Sequence, residues 1–400
     1  MKKRLKFEIL RLINSNQNWR DILSAPPYNL SFRDFDDYTL VKYNQLFSDF
    51  KKSMVKEARG FIMKKRGHKY VLVCVPFTKF FCVGDPNAKN DLKKLYHRKE
   101  WYVEEKIDGS LIKVFYDNGL WHIATSGTPC AFNAPLQFPM NGLNNYGELF
   151  NYASKGKIEY DKLDKRYTYM FELVGLENKV IVPYGTEDVY YLGRRDNYTL
   201  LEMPYFEDDC AGVKKCKRPK CKIIKIDKNP KKIMRELQQE VDGFTKEHEH
   251  FEGYVISDKS LKTRVKMKSS QYMELFSQKG NGIFSSRKIL LMILDQKDDD
   301  ILSSFPEYKS QFDEVRNALC VWLEKVKNDL RYMDAHIWDN QKQFAEWAKG
   351  TMYPPIIFSA YKNKDAWSGE WLEKQVRNIQ PSNLVKYIGL EERKEENIDV

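Results

Sequence analysis

The sequence predicts an α+β fold, with a strand-rich antiparallel region followed by a mostly α-helical C-terminal region. Three observations carry this. Short apolar runs broken by turn residues recur from about Arg59 to Lys268. Two of those runs flank Asp117-Asn118-Gly119, whose Asn-Gly step supplies the positive-φ residues of a tight antiparallel hairpin. After about Ser270, apolar residues recur instead at spacings of three and four, the period of an amphipathic helix.

Taken in order, residues 1–50 mix helix-like and turn-like stretches around Pro26-Pro27. Residues 70–75 (YVLVCV) form an apolar run of the strand type, and 101–106 read as a second strand. Residues 111–116 and 120–125 are the arms of the hairpin, and 169–174, 180–182 and 189–192 continue the strand pattern. Residues 254–257 and 261–267 flank Asp258-Lys259-Ser260, a second hairpin. Residues 289–294 fall in a helix. Phe312, Val315, Leu319, Leu323, Val326, Leu330 and Met333 mark one long amphipathic helix. Phe344 with Trp347, and then 367–379, indicate further helices, and the charged end from Leu390 reads as frayed. The expected division is 1–275 and 285–400, with the boundary near Gly280-Asn281-Gly282.

The 400 residues are enough for two or three domains at roughly 150 residues each. Hydrophobic residues at 42% and charged residues at 31% are ordinary for a soluble globular chain. A membrane span is excluded because no apolar run approaches about 18 residues. Met1-Lys2-Lys3-Arg4 is basic, but Glu8, Arg11 and Asn14 interrupt the residues after it, so no secretory leader is expected. Seven cysteines, an odd number in a long chain, read as reduced and intracellular, and the expected compartment is the cytoplasm. The net charge of +11 favours a polyanionic partner. A monomer is the default expectation.

The most informative segment is Lys106-Ile107-Asp108-Gly109-Ser110. Taken alone it could be any turn between strands. Its functional reading is a lysine nucleophile at a strand end, followed by a turn that lets backbone approach a phosphate. Three segments raise that reading. Phe171-Glu172-Leu173-Val174-Gly175 and Glu252-Gly253-Tyr254-Val255-Ile256 are both strand-like. In Val265-Lys266-Met267-Lys268, alternation puts Lys266 and Lys268 on one face of a strand, although a bare solvated face would look the same.

This ordered set resembles the covalent nucleotidyltransferase superfamily of polynucleotide ligases and RNA capping enzymes. Glu57-Ala58-Arg59-Gly60, Pro76-Phe77-Thr78-Lys79-Phe80-Phe81, the run 173–184 and Tyr191-Leu192-Gly193-Arg194-Arg195-Asp196-Asn197 narrow the resemblance. Together they are similar to the bacteriophage-type RNA ligase 1 family, over about residues 57–275. The resemblance implies an antiparallel-sheet adenylyltransferase domain and an ATP-dependent RNA ligase. Such an enzyme joins 5′-phosphate and 3′-hydroxyl RNA ends through a lysyl-AMP and an adenylylated 5′ end. It further implies Mg²⁺, with Mn²⁺ as a substitute, and broken tRNA as substrate, selected by the helical domain in the host cytoplasm if the chain is phage-encoded. By the same resemblance Lys106 is the nucleophile, and Lys266, Lys268 and Lys79 neutralise phosphates. Glu252, with Asp108, contacts the metal. Arg59 and Glu172 hold the nucleotide sugar, Glu104 approaches the adenine amine, and Gly109 permits close backbone approach. For each residue alone a structural role is the plain alternative.

The family usually carries a basic residue just after the hairpin that follows the nucleophile. Here the stretch is Ala124-Thr125-Ser126-Gly127-Thr128-Pro129, with none. Residues 214–232 hold ten basic residues and one acid, Asp227, and read as an RNA-contacting or solvated basic loop. Cys210, Cys216 and Cys221, with His248 and His250 distant in sequence, fit a zinc site poorly. His97 and His336 read as structural. The competing functions are a capping-type guanylyltransferase or DNA ligase, in which a strand-rich OB domain would replace the helical region, and a catalytically inert RNA-binding module.

Overall fold

The computed structural model describes all residues except 1–6, 45–47, 141, 176–183, 228, 248–250, 270–284, 296, 297, 299–301, 303–307, 339, 364–366 and 391–400. The expected strand at 180–182, the boundary residues 280–282 and the charged tail lie outside the described residues. The chain divides into two compact units, Met1–Phe276 and Ser277–Val400.

The first unit opens with α1 (Glu8–Ser15) and α2 (Trp19–Ser24). A four-stranded antiparallel meander comes next: β1 (Leu30–Phe35), β2 (Tyr38–Tyr43), β3 (Arg59–Arg66) and β4 (Lys69–Cys74), with α3 (Ser53–Glu57) between β2 and β3. The sequence pattern predicts no strands before residue 50. In edge strand β1, LSFRDF, the exposed Arg33 and Asp34 break the apolar signal, and in β2, YTLVKY, the apolar run is only two residues long. Next come β5 (Phe81–Cys82), α4 (Lys89–Tyr96), β6 (Glu100–Glu105), β7 (Ser110–Asp117) and β8 (Leu120–Thr125). They are followed by β9 (Pro135–Met140), β10 (Leu143–Asn145), α5 (Tyr146–Ser154), β11 (Tyr167–Val174), β12 (Asp188–Asp196) and β13 (Glu202–Pro204). Then β14 (Cys221–Lys225), α6 (Pro230–Glu247), β15 (Gly253–Ser257) and β16 (Arg264–Lys268) complete the unit.

Two five-stranded sheets position the site, in the orders β14-β6-β15-β16-β5 and β13-β12-β11-β7-β8. Each buries one face under helices. Trp101, Val103, Tyr254, Ile256, Val265 and Met267 pack with Leu95 of α4 and with Ile233, Leu237 and Val241 of α6. Ile112, Val114, Tyr169, Phe171 and Leu173 pack with Leu149 and Phe150 of α5. The alternate residues of both sheets are therefore left to line the remaining faces, and these carry the charged side chains.

The β7–β8 hairpin turns through Asn118 at φ 48° and Gly119 at φ 84°, as its sequence requires. The second hairpin turns over a longer connection than expected, because β16 starts only at Arg264. Leu261 takes φ 55°, and the Asp258 carboxylate accepts from Ser260 Oγ and Thr263 N, so 261–263 belong to the turn. Residues 214–232 are not a loop throughout. Cys221–Lys225 pairs with β6, and α6 begins at Pro230. Lys217, Lys220 and Lys222 are matched by Asp188, Glu105 and Glu240.

The second unit is helical across Ser286–Leu294, Lys309–Ala335, Gln341–Lys349, Pro354–Asn363, Gly369–Arg377 and Pro381–Tyr387. All seven residues expected on one face of the long helix are buried, together with Trp322. Among the described residues no helix is long and apolar enough to cross a membrane.

Candidate active site

Lys106 extends the line of β6, its backbone N–H donating to Gly253 O at 2.8 Å. In the ladder Val255 faces both Glu104 and Lys266, and Gly253 faces Lys268. That register aligns Glu104, Lys266 and Lys268 on one face, while Val265 and Met267 point into the core. Gly253, at φ 144°, is needed here, because a Cβ would lie 2.0 Å from Met267 O.

Glu252 is the hub. Lys106 Nζ lies 2.7 Å from its Oε2 and Lys268 Nζ 2.9 Å from its Oε1, and its side chain is 2% exposed. Burial would raise this carboxyl, but Lys106 and Lys268 outweigh burial and hold it below the ordinary range. Asp108 is buried, and its backbone N–H donates to the Tyr184 hydroxyl at 3.1 Å. The close approach made at Gly109 is to protein: a Cβ there would lie 2.3 Å from Leu173 O and 3.0 Å from Glu172 Cγ. The glycine thus seats the motif's turn directly on β11.

Glu172 enters from the opposite sheet. Burial pushes its carboxyl up to about 7; Lys106 and Arg59 oppose the rise, and Glu252 and Asp108 reinforce it. The structure therefore gathers Lys106, Glu252, Lys268, Asp108, Glu172 and Arg59 into one electrostatic neighbourhood. Arg59 lies over Phe77 and Phe80, its guanidinium carbon 4.4 and 5.2 Å from their centroids. Its Nη1 is buried without a hydrogen-bond partner. Across the same rings Arg264 pairs with Glu202 at 2.7 Å, tying one sheet to the other. Burial also pushes Glu104 up to about 7; Arg264 and the nearby Tyr205 and Ser257 hydroxyls oppose the rise and Glu202 reinforces it, while its buried Oε1 makes no hydrogen bond of good geometry. Lys79 lies over the rings of Tyr43, Phe50 and Phe81, at 5.2, 5.2 and 5.4 Å. Lys266 is half-buried on the inner face.

These features fit a nucleotide. The buried donor of Arg59 lacks the acceptor that a sugar or phosphate oxygen would supply, whereas Glu104 already faces the Tyr205 and Ser257 hydroxyls. Among the described residues no group of three or more metal-ligating side chains is present. A divalent cation in this pocket would have to be held by Asp108 and Glu252, directly or through water, as hard cations prefer oxygen. Each oxygen of Glu252 already holds an ammonium.

Two kinds of residue have a role that the sequence does not give. Lys113 on β7 is fully buried, and its ammonium donates to Gly60 O beside Arg59. A Cβ on Gly60 would lie 2.6 Å from Ser126 O and 3.4 Å from Lys113 Nζ. A cation thus sits close to Ser126, where the sequence carries none, supplied by the neighbouring strand. A lysine within an apolar run (LIKVFY) gives no hint of where its ammonium will end. Second, several of the motif residues are struts. Glu57 accepts from Glu8 N and Ile9 N at the start of α1. Arg195 donates to Pro76 O at 2.6 Å and to Leu200 O at 3.1 Å, fixing the segment that carries Phe77.

The chain is similar to RNA ligases of viruses. A "Putative bifunctional polynucleotide kinase/RNA ligase" of Autographa californica nuclear polyhedrosis virus is 29% identical over 288 residues, covering 68% of this chain. The chain spans only 38% of the length of that relative. An RNA ligase of Rhodothermus phage RM378 is 25% identical over 338 residues, covering 71% of this chain and 75% of its own. Among solved structures, an archaeal ATP-dependent RNA ligase overlaps 96% of this chain and 90% of its own, at a TM-score of 0.44 and 14% identity. The RNA ligase family model matches residues 57–273, a span that holds every one of the side chains gathered above from Arg59 to Lys268, and the chain belongs to that family.

Proposed function

We propose that this chain is an ATP-dependent RNA ligase that works through a covalent lysyl-adenylate. The observation that supports this most is Lys106 held at 2.7 Å from buried Glu252, in a pocket whose Arg59 keeps an unpaired donor. Lys106 Nζ, once deprotonated, attacks the α-phosphorus of ATP, forming a P–N bond as pyrophosphate leaves. Only the free amine is nucleophilic, so the ion pair with Glu252 opens before attack. Lys266 and Lys268 offset the charge of the phosphates and of the leaving pyrophosphate. Glu172 and Arg59 hold the sugar, and Glu104 accepts from the adenine amine. Mg²⁺, held by Glu252 and Asp108 through oxygen or water, would supply charge neutralisation at the phosphates. AMP then passes to the 5′-phosphate of an RNA, breaking the P–N bond and making a pyrophosphate linkage. Finally a 3′-hydroxyl displaces AMP and a phosphodiester forms.

The substrate class is RNA with a 5′-phosphate and a 3′-hydroxyl, with broken tRNA as its natural form. The test is incubation with labelled ATP or GTP and Mg²⁺, denaturation, and detection of an acid-labile covalent label, followed by sealing assays on nicked tRNA, linear RNA and nicked duplex DNA. Label from ATP that vanishes in Lys106→Ala, with RNA sealing, supports the proposal. Label from GTP points to a capping-type enzyme, preferred sealing of DNA to a DNA ligase, and no label from either nucleotide to an inert RNA-binding module.

A further inference from the structure

A second concave surface lies in the first unit, at the end of β11 opposite Glu172. It is a groove of about 900 Å³ between α1, the β3–β4 hairpin and the turns at 164–166 and 197–200. Three separate elements each send a cation to it: Arg11 from α1, Lys69 from β4 and Lys165 from the turn before β11. Among the described residues none of these three has a carboxylate at ion-pair distance. The other two cations on its walls are already spoken for, Arg66 by Asp117 at 2.9 Å and Arg166 by Asp164 at 3.0 Å. Like charges brought together over an apolar floor repel one another and focus a positive potential, an arrangement that an anionic ligand relieves. Aromatic surface is interleaved with the charge. The Lys165 ammonium lies 4.3 Å from the Tyr116 centroid, and the Tyr198 side chain, also on the wall, is 65% exposed. Cations spaced along a groove beside an exposed ring are what a single-stranded nucleic acid needs for phosphate contact and base stacking.

We propose that this groove holds the single-stranded body of the RNA substrate, several nucleotides from the end being sealed. The inference rests on the RNA ligase reading and adds to it a place for the RNA. From Tyr167, at the groove end of β11, to Glu172 is five residues, about 17 Å along the strand. Residues 168–171 between them are fully buried, so an RNA passes around the sheet over a longer path; a long RNA touches both sites, whereas a very short one reaches only Lys106 and its neighbours.

The experiment uses the full chain and the triple variant Arg11→Glu, Lys69→Glu, Lys165→Glu, with Tyr198→Ala as a second variant that leaves charge unchanged. Three quantities are measured: Lys106 adenylylation by ATP, affinity for a fluorescent single-stranded RNA across a salt series, and sealing of long against very short RNA. Adenylylation is expected to stay within about twofold of wild type in both variants. In the triple variant the slope of log K against log salt is expected to shrink by about 2, since each single-strand phosphate contact contributes about 0.7. Sealing of long RNA is expected to fall at least tenfold, with short RNA spared. Tyr198→Ala is expected to weaken binding while leaving the salt slope unchanged. An unchanged affinity and salt slope in the triple variant overturns the proposal and leaves the groove to another anion, such as an acidic peptide. Loss of adenylylation in wild type would instead sink the ligase reading, and the binding series would still judge the groove.

Discussion

Lys106 and Glu252 are 146 residues apart in sequence, yet the Lys106 ammonium lies 2.7 Å from a Glu252 oxygen that is almost wholly shielded from water. The pairing follows from the register of β6 on β15, which brings the end of one strand to the start of the other. Glu252 also holds Lys268, so one carboxylate orients both amines. Glu252→Gln keeps the shape and removes the charge. The covalent labelling rate in single turnover is expected to fall by about two orders of magnitude. The melting temperature should fall as well, because two poorly hydrated ammonium groups lose their counter-charge.

Glu172 and Glu104 are both pushed up to about 7 by burial, above the unperturbed carboxyl. A carboxyl whose folded pKa is raised favours the folded state below its unfolded value, near 4.5, and loses that contribution as pH rises through about 7. Replacing either by Gln is therefore expected to raise the melting temperature at pH 8 and to change it little at pH 4. Thermal unfolding across that range checks the sign. In wild type, adenylylation should rise with pH through about 7 as these groups ionise, and the rise should weaken in Glu172→Gln.

Lys113 is expected to separate stability from function. Burial pushes its ammonium down to about 8, with Lys42 and Arg59 adding to the fall and Cys74 opposing it. Between about 8 and the unfolded value of 10.5 the unfolded chain binds more protons, so stability rises with pH there and the penalty is full at pH 7. Lys113→Met removes that penalty and should leave the melting temperature at pH 7 equal or higher. It should also raise the KM for ATP about tenfold, by freeing the Gly60 carbonyl next to Arg59 in the chain. An unchanged KM would make Lys113 a structural residue only.

A chain ending at Phe276 retains both five-stranded sheets and every pocket residue. It is expected to take the label from ATP within about tenfold of the full chain and to lose more in sealing nicked tRNA. Equal loss in both assays would count against a substrate-selecting role for the helical unit.

Much of this is legible in the sequence wherever period and turn chemistry coincide. Asn118-Gly119 predicts its hairpin, and the spacing from Phe312 to Met333 predicts its helix, face included. Alternation in Val265-Lys266-Met267-Lys268 places two lysines on the inner face, but does not say that Lys268 meets Glu252. Helix α6 opens within the basic run read as a loop, although its buried Ile233, Met234, Leu237 and Val241 recur at the spacing of an amphipathic helix. The orphaned donor of Arg59 and the internal cation of Lys113 depend on packing between sheets, which no local pattern encodes.

The most direct measurement is intact and peptide mass spectrometry of the protein after incubation with ATP and Mg²⁺ in the absence of RNA. The peptide carrying Lys106 is expected to be heavier by one adenylate, and the gain to disappear in Lys106→Ala. A protein that stays unmodified, or that carries the adenylate on another residue, would contradict it.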